Sequence, residues 1–191
     1  HACGIESTTR ELLCWGHDRE GQVSGAPASV AFDHVTTGYE FTCGLRASDS
    51  EAVCWGNDDS GRVSGAPTGV ALNTASSGWH HTCAIRNSDQ TVTCWGDDSY
   101  GQISGVPTGV AFDDVVVGYN HSCGIRSSDS VISCWGDDRE GQVSGAPGGV
   151  AFDAVASSRR SVCGIRSSDG EIVCWGDDFS GQVSGAPSGV A

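Results

Sequence analysis

Lysine and methionine are absent from this chain of 191 residues, and proline appears only five times. No apolar run approaches the ~18 residues of a membrane-spanning helix, so helical membrane insertion is excluded. Positive charge is scarce: ten arginines stand against 24 acidic residues, for a formal net charge of −14. Phosphate backbones are bound by Lys and Arg that displace counterions, so such a surface argues against nucleic acid and anionic membranes as partners. No stretch carries the periodicity and caps of an amphipathic helix. There is no C-x-x-C, which argues against zinc ribbons and thioredoxin-type redox sites. A Gly-x-Ser-x-Gly elbow and a phosphate loop are also missing. Nothing here calls for a cofactor or points to an enzyme.

What is present is a repeat. At an interval of 40 residues the chain writes Cys, ten residues, then Cys-Trp-Gly. The pairs are Cys3/Cys14, Cys43/Cys54, Cys83/Cys94, Cys123/Cys134 and Cys163/Cys174, and they use every cysteine. A fixed period of this size means one supersecondary unit stacked on copies of itself.

Residues 112 to 151 serve as a specimen. Phe112 to Val117 is a β-branched run ending at Gly118, and Tyr119 to Arg126 reads as a second strand. Ser127-Ser128-Asp129-Ser130 is turn chemistry, since Ser and Asp side chains bond their own backbone. Val131 to Gly136 reads as a third strand, and Gln142-Val143-Ser144 as a short fourth before Gly145-Ala146-Pro147. Four short strands per repeat, punctuated by Gly and Pro, is a propeller-blade pattern. The fold class is therefore all-β: a β-propeller of about five four-stranded blades. It forms one domain over 1–191, with a partial repeat at 1–31 and further repeats at 32–71, 72–111, 112–151 and 152–191.

In a hairpin centred between Ser128 and Asp129, Cys123 falls opposite Cys134, within disulfide reach. One bridge inside each blade follows, and with it an oxidising, secreted or cell-surface location. The rings that follow each second cysteine (Trp15, Trp55, Trp95, Trp135, Trp175) read as filling between neighbouring blades.

Gly118-Tyr119-Asn120-His121-Ser122-Cys123-Gly124-Ile125, followed by Cys134-Trp135-Gly136 and Gly141-Gln142, resembles the repeat of the regulator of chromosome condensation family. The pattern is also similar to the secreted beta-lactamase inhibitor protein II group of that family. The resemblance implies a propeller whose loop aromatics on one face grip a partner. Its matching positions are Tyr39, Glu40, Phe41, Trp79, His80, His81, Tyr119, Asn120, His121, Arg159 and Arg160. Copies of a repeat share one geometry, so the positions that vary between them point to the same set. The loop after Trp-Gly varies too, and adds Tyr100 and Phe179. Aromatics with Arg and His on a rigid rim have the composition of a binding hot spot.

The expected function is a non-enzymatic extracellular module for protein interaction or structural assembly. A carbohydrate-binding lectin and a secreted enzyme inhibitor are the alternatives. The paired acids Asp58-Asp59, Asp97-Asp98, Asp137-Asp138 and Asp177-Asp178 read as loop caps and not as calcium or glycosidase sites, because adjacent carboxylates supply too few converging oxygens. No metal site is expected. Asn120-His121-Ser122 is a glycosylation sequon in a eukaryotic secretory host. The chain opens on His1 and reads as a mature or excised product. Its first repeat lacks the piece equivalent to Phe112–Asn120, which raises self-assembly by strand addition at the incomplete blade.

Overall fold

A computed structural model describes residues 1–189; Val190 and Ala191, the end of the expected 152–191 repeat, lie outside the described residues. The chain is all-β. Strands β1 (Ala2–Ile5) and β2 (Leu12–Trp15) form a two-stranded sheet. Four three-stranded antiparallel sheets follow. They are β3 (Phe32–Thr37), β4 (Phe41–Arg46) and β5 (Ala52–Gly56), then β6 (Leu72–Ser77), β7 (His81–Arg86) and β8 (Val92–Gly96). Next come β9 (Phe112–Val117), β10 (His121–Arg126) and β11 (Ile132–Gly136), and last β12 (Phe152–Ser157), β13 (Ser161–Arg166) and β14 (Ile172–Gly176). The first strands β3, β6, β9 and β12 lie beside one another in succession, so the blades fan out from a common centre.

The fourth strand expected in each blade is not formed. Residues 142–144 lie in turns, and the reason is local. Asp138 Oδ1 accepts the backbone N–H groups of Val143 and Ser144, both at 2.8 Å, while the Gly145 N–H donates to the Gly141 carbonyl at 3.0 Å. With these donors engaged in the turn, the segment has few left for a ladder. Asp18, Asp58, Asp98 and Asp178 hold the same bonds, which gives the acid at this position of every repeat its structural task.

The five disulfides sit inside their own sheets, as the spacing predicts. Cys3↔Cys14, Cys43↔Cys54, Cys83↔Cys94, Cys123↔Cys134 and Cys163↔Cys174 are in-register partners, with Cα atoms 4.0–4.1 Å apart. Register across so short a hairpin is set by its turn, and a bridge there contributes about 3 kcal/mol in the chain-entropy picture.

The core lies between blades. Phe41, Cys43 and Leu45 of one blade meet Leu72, Ala75, Ala84 and Trp95 of the next, and the following junctions repeat this packing. Four of the five repeated Trp residues donate the indole N–H to a carbonyl of the blade before: Trp55 to Gln22, Trp95 to Arg62, Trp135 to Gln102 and Trp175 to Gln142, at 3.0–3.1 Å. The Trp-Gly and Gly-Gln parts of the pattern are thus two halves of one joint. Gly56 turns the chain at φ +102°, where a Cβ would lie 2.6 Å from the Glu40 carbonyl.

Candidate functional site

Each first strand ends in a two-residue tip before the second strand begins. The Gly38, Gly78, Gly118 and Ser158 N–H groups donate to the carbonyls of Phe41, His81, His121 and Ser161 at 2.8–2.9 Å. Successive tips touch, because the first strands crowd toward the centre. The Tyr39 N–H donates to the Gly78 carbonyl at 3.2 Å, and the Tyr119 N–H to the Arg159 carbonyl at 3.1 Å. A Cβ at Gly78 would collide with the Gly118 carbonyl, so the close approach depends on glycine.

Residues 40 apart in sequence therefore stand in file. Tyr39 stacks on Trp79 with centroids 4.5 Å apart and planes 6° apart. Trp79 meets Tyr119 at 4.7 Å, tilted by 41°. The Arg159 guanidinium completes the row, 5.3 Å from the Tyr119 ring and 5.8 Å from Trp79. His80 closes edge-on against Tyr119 at 5.2 Å. Burial, and then the charge of Arg62, hold the His80 imidazole below its ordinary pKa. Tyr39 and Trp79 keep 44% and 38% of their surface exposed. Seven of the ten arginines make ion pairs, but Arg159, though exposed, has no carboxylate within ion-pair distance among the described residues.

The loop after each third strand joins the same face. The Asn57, Asp97, Asp137 and Asp177 N–H groups donate to the carbonyls of Glu40, His80, Asn120 and Arg160 at 2.8–3.0 Å. Tyr100 carries the Arg139 guanidinium 4.6 Å over its ring, and Asp137 clamps that guanidinium with two bonds of 2.8 Å. Arg160 pairs with Glu140 at 3.4 Å, and Phe179 is 94% exposed. Arg159, Arg160, Glu140, Asp177 and Phe179 line a cleft of about 410 Å³. Tyr39 and Glu40, with His1, His17, Arg19 and Gln22, line another of about 490 Å³.

Four of the residues expected on this surface are not there. Phe41, His81 and His121 are fully buried, and Asn120 is nearly so. The position two beyond each tip glycine is the hinge of the tip, and the position after that begins a strand whose pleat turns it inward. The histidines instead tie blades together: His1 Nε2 to Thr42 Oγ1 at 2.8 Å, His81 Nε2 to Ser122 Oγ at 2.7 Å, and His121 Nε2 to Ser157 Oγ at 3.0 Å. Burial drives the pKa of His81 down to about 3 and that of His121 to about 4, so both are neutral.

Asp137, read from the sequence only as a loop cap, also orients Arg139, and Arg62, which lies buried near His80, was overlooked. Arg62 had a visible signal: it stands where the other repeats carry Gln.

Two stretches, residues 74–102 and 112–142, match the sequence model of the Regulator of chromosome condensation (RCC1) repeat. No curated protein sequence matches the chain. Among solved structures, the entire ectodomain of the Physcomitrella patens receptor kinase CR4 is similar, with a TM-score of 0.81 and 29% identity over 91% of this chain and 49% of that one. The CRINKLY WD40 ectodomain of the Arabidopsis thaliana receptor kinase ACR4 has a TM-score of 0.73 and 26% identity over 91% of this chain and 59% of that one. Prp20p from Saccharomyces cerevisiae shares the fold, with a TM-score of 0.62 and 15% identity over 79% of this chain and 46% of its own. The chain thus spans about half the length of the structures it resembles.

Proposed function

We propose that this chain, a propeller whose residues 74–102 and 112–142 match the Regulator of chromosome condensation (RCC1) repeat, is a non-enzymatic extracellular module that binds a protein partner on the face carrying Tyr39, Trp79, Tyr119 and Arg159. The observation that carries this reading is the stacked row of rings ending in a guanidinium without an ion pair. Tyr, Trp and Arg on a rigid scaffold form the composition that dominates binding energy at protein interfaces. Five disulfides and the likeness to two receptor ectodomains support the extracellular setting.

The same geometry favours a polypeptide over a sugar. A sugar stacks on an open ring face, whereas Tyr39 and Trp79 cover each other's faces and offer edges and polar tips. An acidic side chain could pair with Arg159 while apolar neighbours lie along the ring edges. The test is capture of proteins from the native extracellular fluid by the immobilised chain, run beside its Trp79→Ala and Arg159→Ala variants and a glycan array. A protein held by the parent chain and released by both variants is the expected result. Glycan binding at several equivalent sites per chain would overturn the reading in favour of a lectin.

A further inference from the structure

An arginine closes the second strand in four blades: Arg46 ends β4, Arg86 ends β7, Arg126 ends β10 and Arg166 ends β13. Three of them are neutralised inside their own hairpin. Arg46, Arg126 and Arg166 each hold the Asp three residues on, with Nε donating to one carboxylate oxygen at 2.8–3.1 Å and Nη2 to the other at 2.6–2.8 Å. Arg46 and Arg166 reach a second acid as well, Glu51 and Glu171.

Arg86 is the exception. It has no carboxylate within ion-pair distance among the described residues, and its Nε is buried without a hydrogen-bond partner. Its own Asp89 is taken by Thr91, whose N–H and hydroxyl donate to Oδ1 at 3.0 and 2.8 Å. Thr91 also stands where Glu51 and Glu171 supply the second acid, so this repeat loses that charge too.

Arg86 lines two clefts, one of about 410 Å³ with Gly69, Val70, Ala71, Asn87 and Ser88, and one of about 340 Å³. In the second, Val92, Ile103, Val106 and Pro107 form an apolar wall. No Asp or Glu lines either cleft, in a chain that carries 24 of them. Main-chain bonds fix the frame: the Arg86 N–H donates to the Thr91 carbonyl at 2.9 Å, and the Asn87 N–H to the Ala71 carbonyl at 3.0 Å. An enclosed guanidinium atom without a partner costs free energy that a bound anion recovers.

We propose that Arg86 and these clefts bind a carboxylate carried on a short apolar body. The class follows from the chain itself. Three sister arginines at the same strand end hold a planar carboxylate side-on through Nε and Nη2, the fork geometry that suits two oxygens in one plane. The apolar body lies along Val92, Ile103, Val106 and Pro107, and each cleft has the size of a small-molecule site. The site lies within residues 69–109, flanked by other blades on both sides. It stands at the opposite end of β7 from the tip that precedes His81, so it is separate from the partner-binding face proposed above.

The test titrates the isotope-labelled chain with hexanoate and with a blocked tripeptide ending in a free leucine carboxylate, using the amide of each as the neutral control. Binding is followed by NMR at the arginine Nε–H signals and at the Asn87 and Thr108 amides. At least one acid is expected to bind saturably and move the Arg86 signal, while the amides do not. Hexanoate bound alone identifies a free acid as the source, and a bound tripeptide identifies a chain terminus. Arg86→Gln should weaken binding at least about tenfold, the loss of a charge-assisted pair. Thr91→Glu should do the same with Arg86 in place, because it supplies the acid that Glu51 gives Arg46. Circular dichroism matching the parent chain confirms the fold, and Thr91→Glu decides the matter if Arg86→Gln does not fold. Absence of saturable binding by either acid overturns the proposal. So does equal binding by the amides, or an affinity that survives Thr91→Glu.

Discussion

Trp95 donates its indole N–H to the main-chain carbonyl of Arg62, 3.1 Å away, across the boundary between two blades. The bond crosses 33 residues of sequence and recurs at the three neighbouring junctions with the same separation. It couples the aromatic filling between blades to the loop that shapes the outer face. A change in the joint therefore weakens both.

Replacing Trp135 by alanine should destabilise the chain by about 3–5 kcal/mol, the cost of truncating a large buried ring. Trp135 is 4% exposed and bonded to the Gln102 carbonyl. The same change at Trp15, which is 59% exposed, should stay within about 1 kcal/mol. Paired denaturant titrations of the two variants at low protein concentration give the comparison. Equal losses would show that the indoles do not act through the blade junction.

Removing one bridge with Cys83→Ala and Cys94→Ala should cost about 2–4 kcal/mol, as expected for a loop of this size. The bridge closes a separation of 11 residues within one sheet, and Cys83 is buried. Peptide mapping of the non-reduced parent chain should find five bridges, each inside its own repeat.

Acid should loosen the blade stack before it strips the loops. Burial lowers His81 to about 3 and His121 to about 4, below the ordinary histidine value of 6.5. The unfolded chain therefore binds more protons than the folded one between those limits. The stability these groups contribute is fully present above about pH 6.5 and is lost as pH falls toward 4 and 3. Asp58 and Asp178 act at lower pH: backbone hydrogen bonds hold both carboxyls below the ordinary 3.8, so their contribution disappears only as they protonate. Thermal melts between pH 7 and 4.5 should fall steadily in the parent chain and flatten in a His81→Gln, His121→Gln variant. A variant with an unchanged slope would refute the assignment.

Asp138→Ala should cost about 1–3 kcal/mol, because it releases two backbone donors from a carboxylate. Asp137→Asn should leave stability closer to the parent value but free Arg139 from its fixed place over Tyr100. Denaturant titration reads the first effect. Tyrosine and arginine side-chain NMR read the second.

Much of the architecture is written locally, and the misreadings show where local reasoning stops. The segment 142–144 has the β-branched centre of a strand, yet Asp138 withdraws its donors five and six residues away. Strand propensity alone does not register that competition. Phe41, His81 and His121 sit beside exposed tip residues and share their aromatic or polar character, but one further step along the pleat turns them inward.

By itself the sequence determined the repeat, the hairpins and the pairing of all ten cysteines, because each depends on contacts within a few residues of a turn. Only the tertiary structure decided that Tyr39, Trp79, Tyr119 and Arg159 form one row, and that the Trp95 indole reaches the Arg62 carbonyl of the blade before it. Those outcomes depend on residues about 40 positions apart meeting as blades fan from a common centre. A local pattern carries no distance across such a gap; packing between blades supplies it.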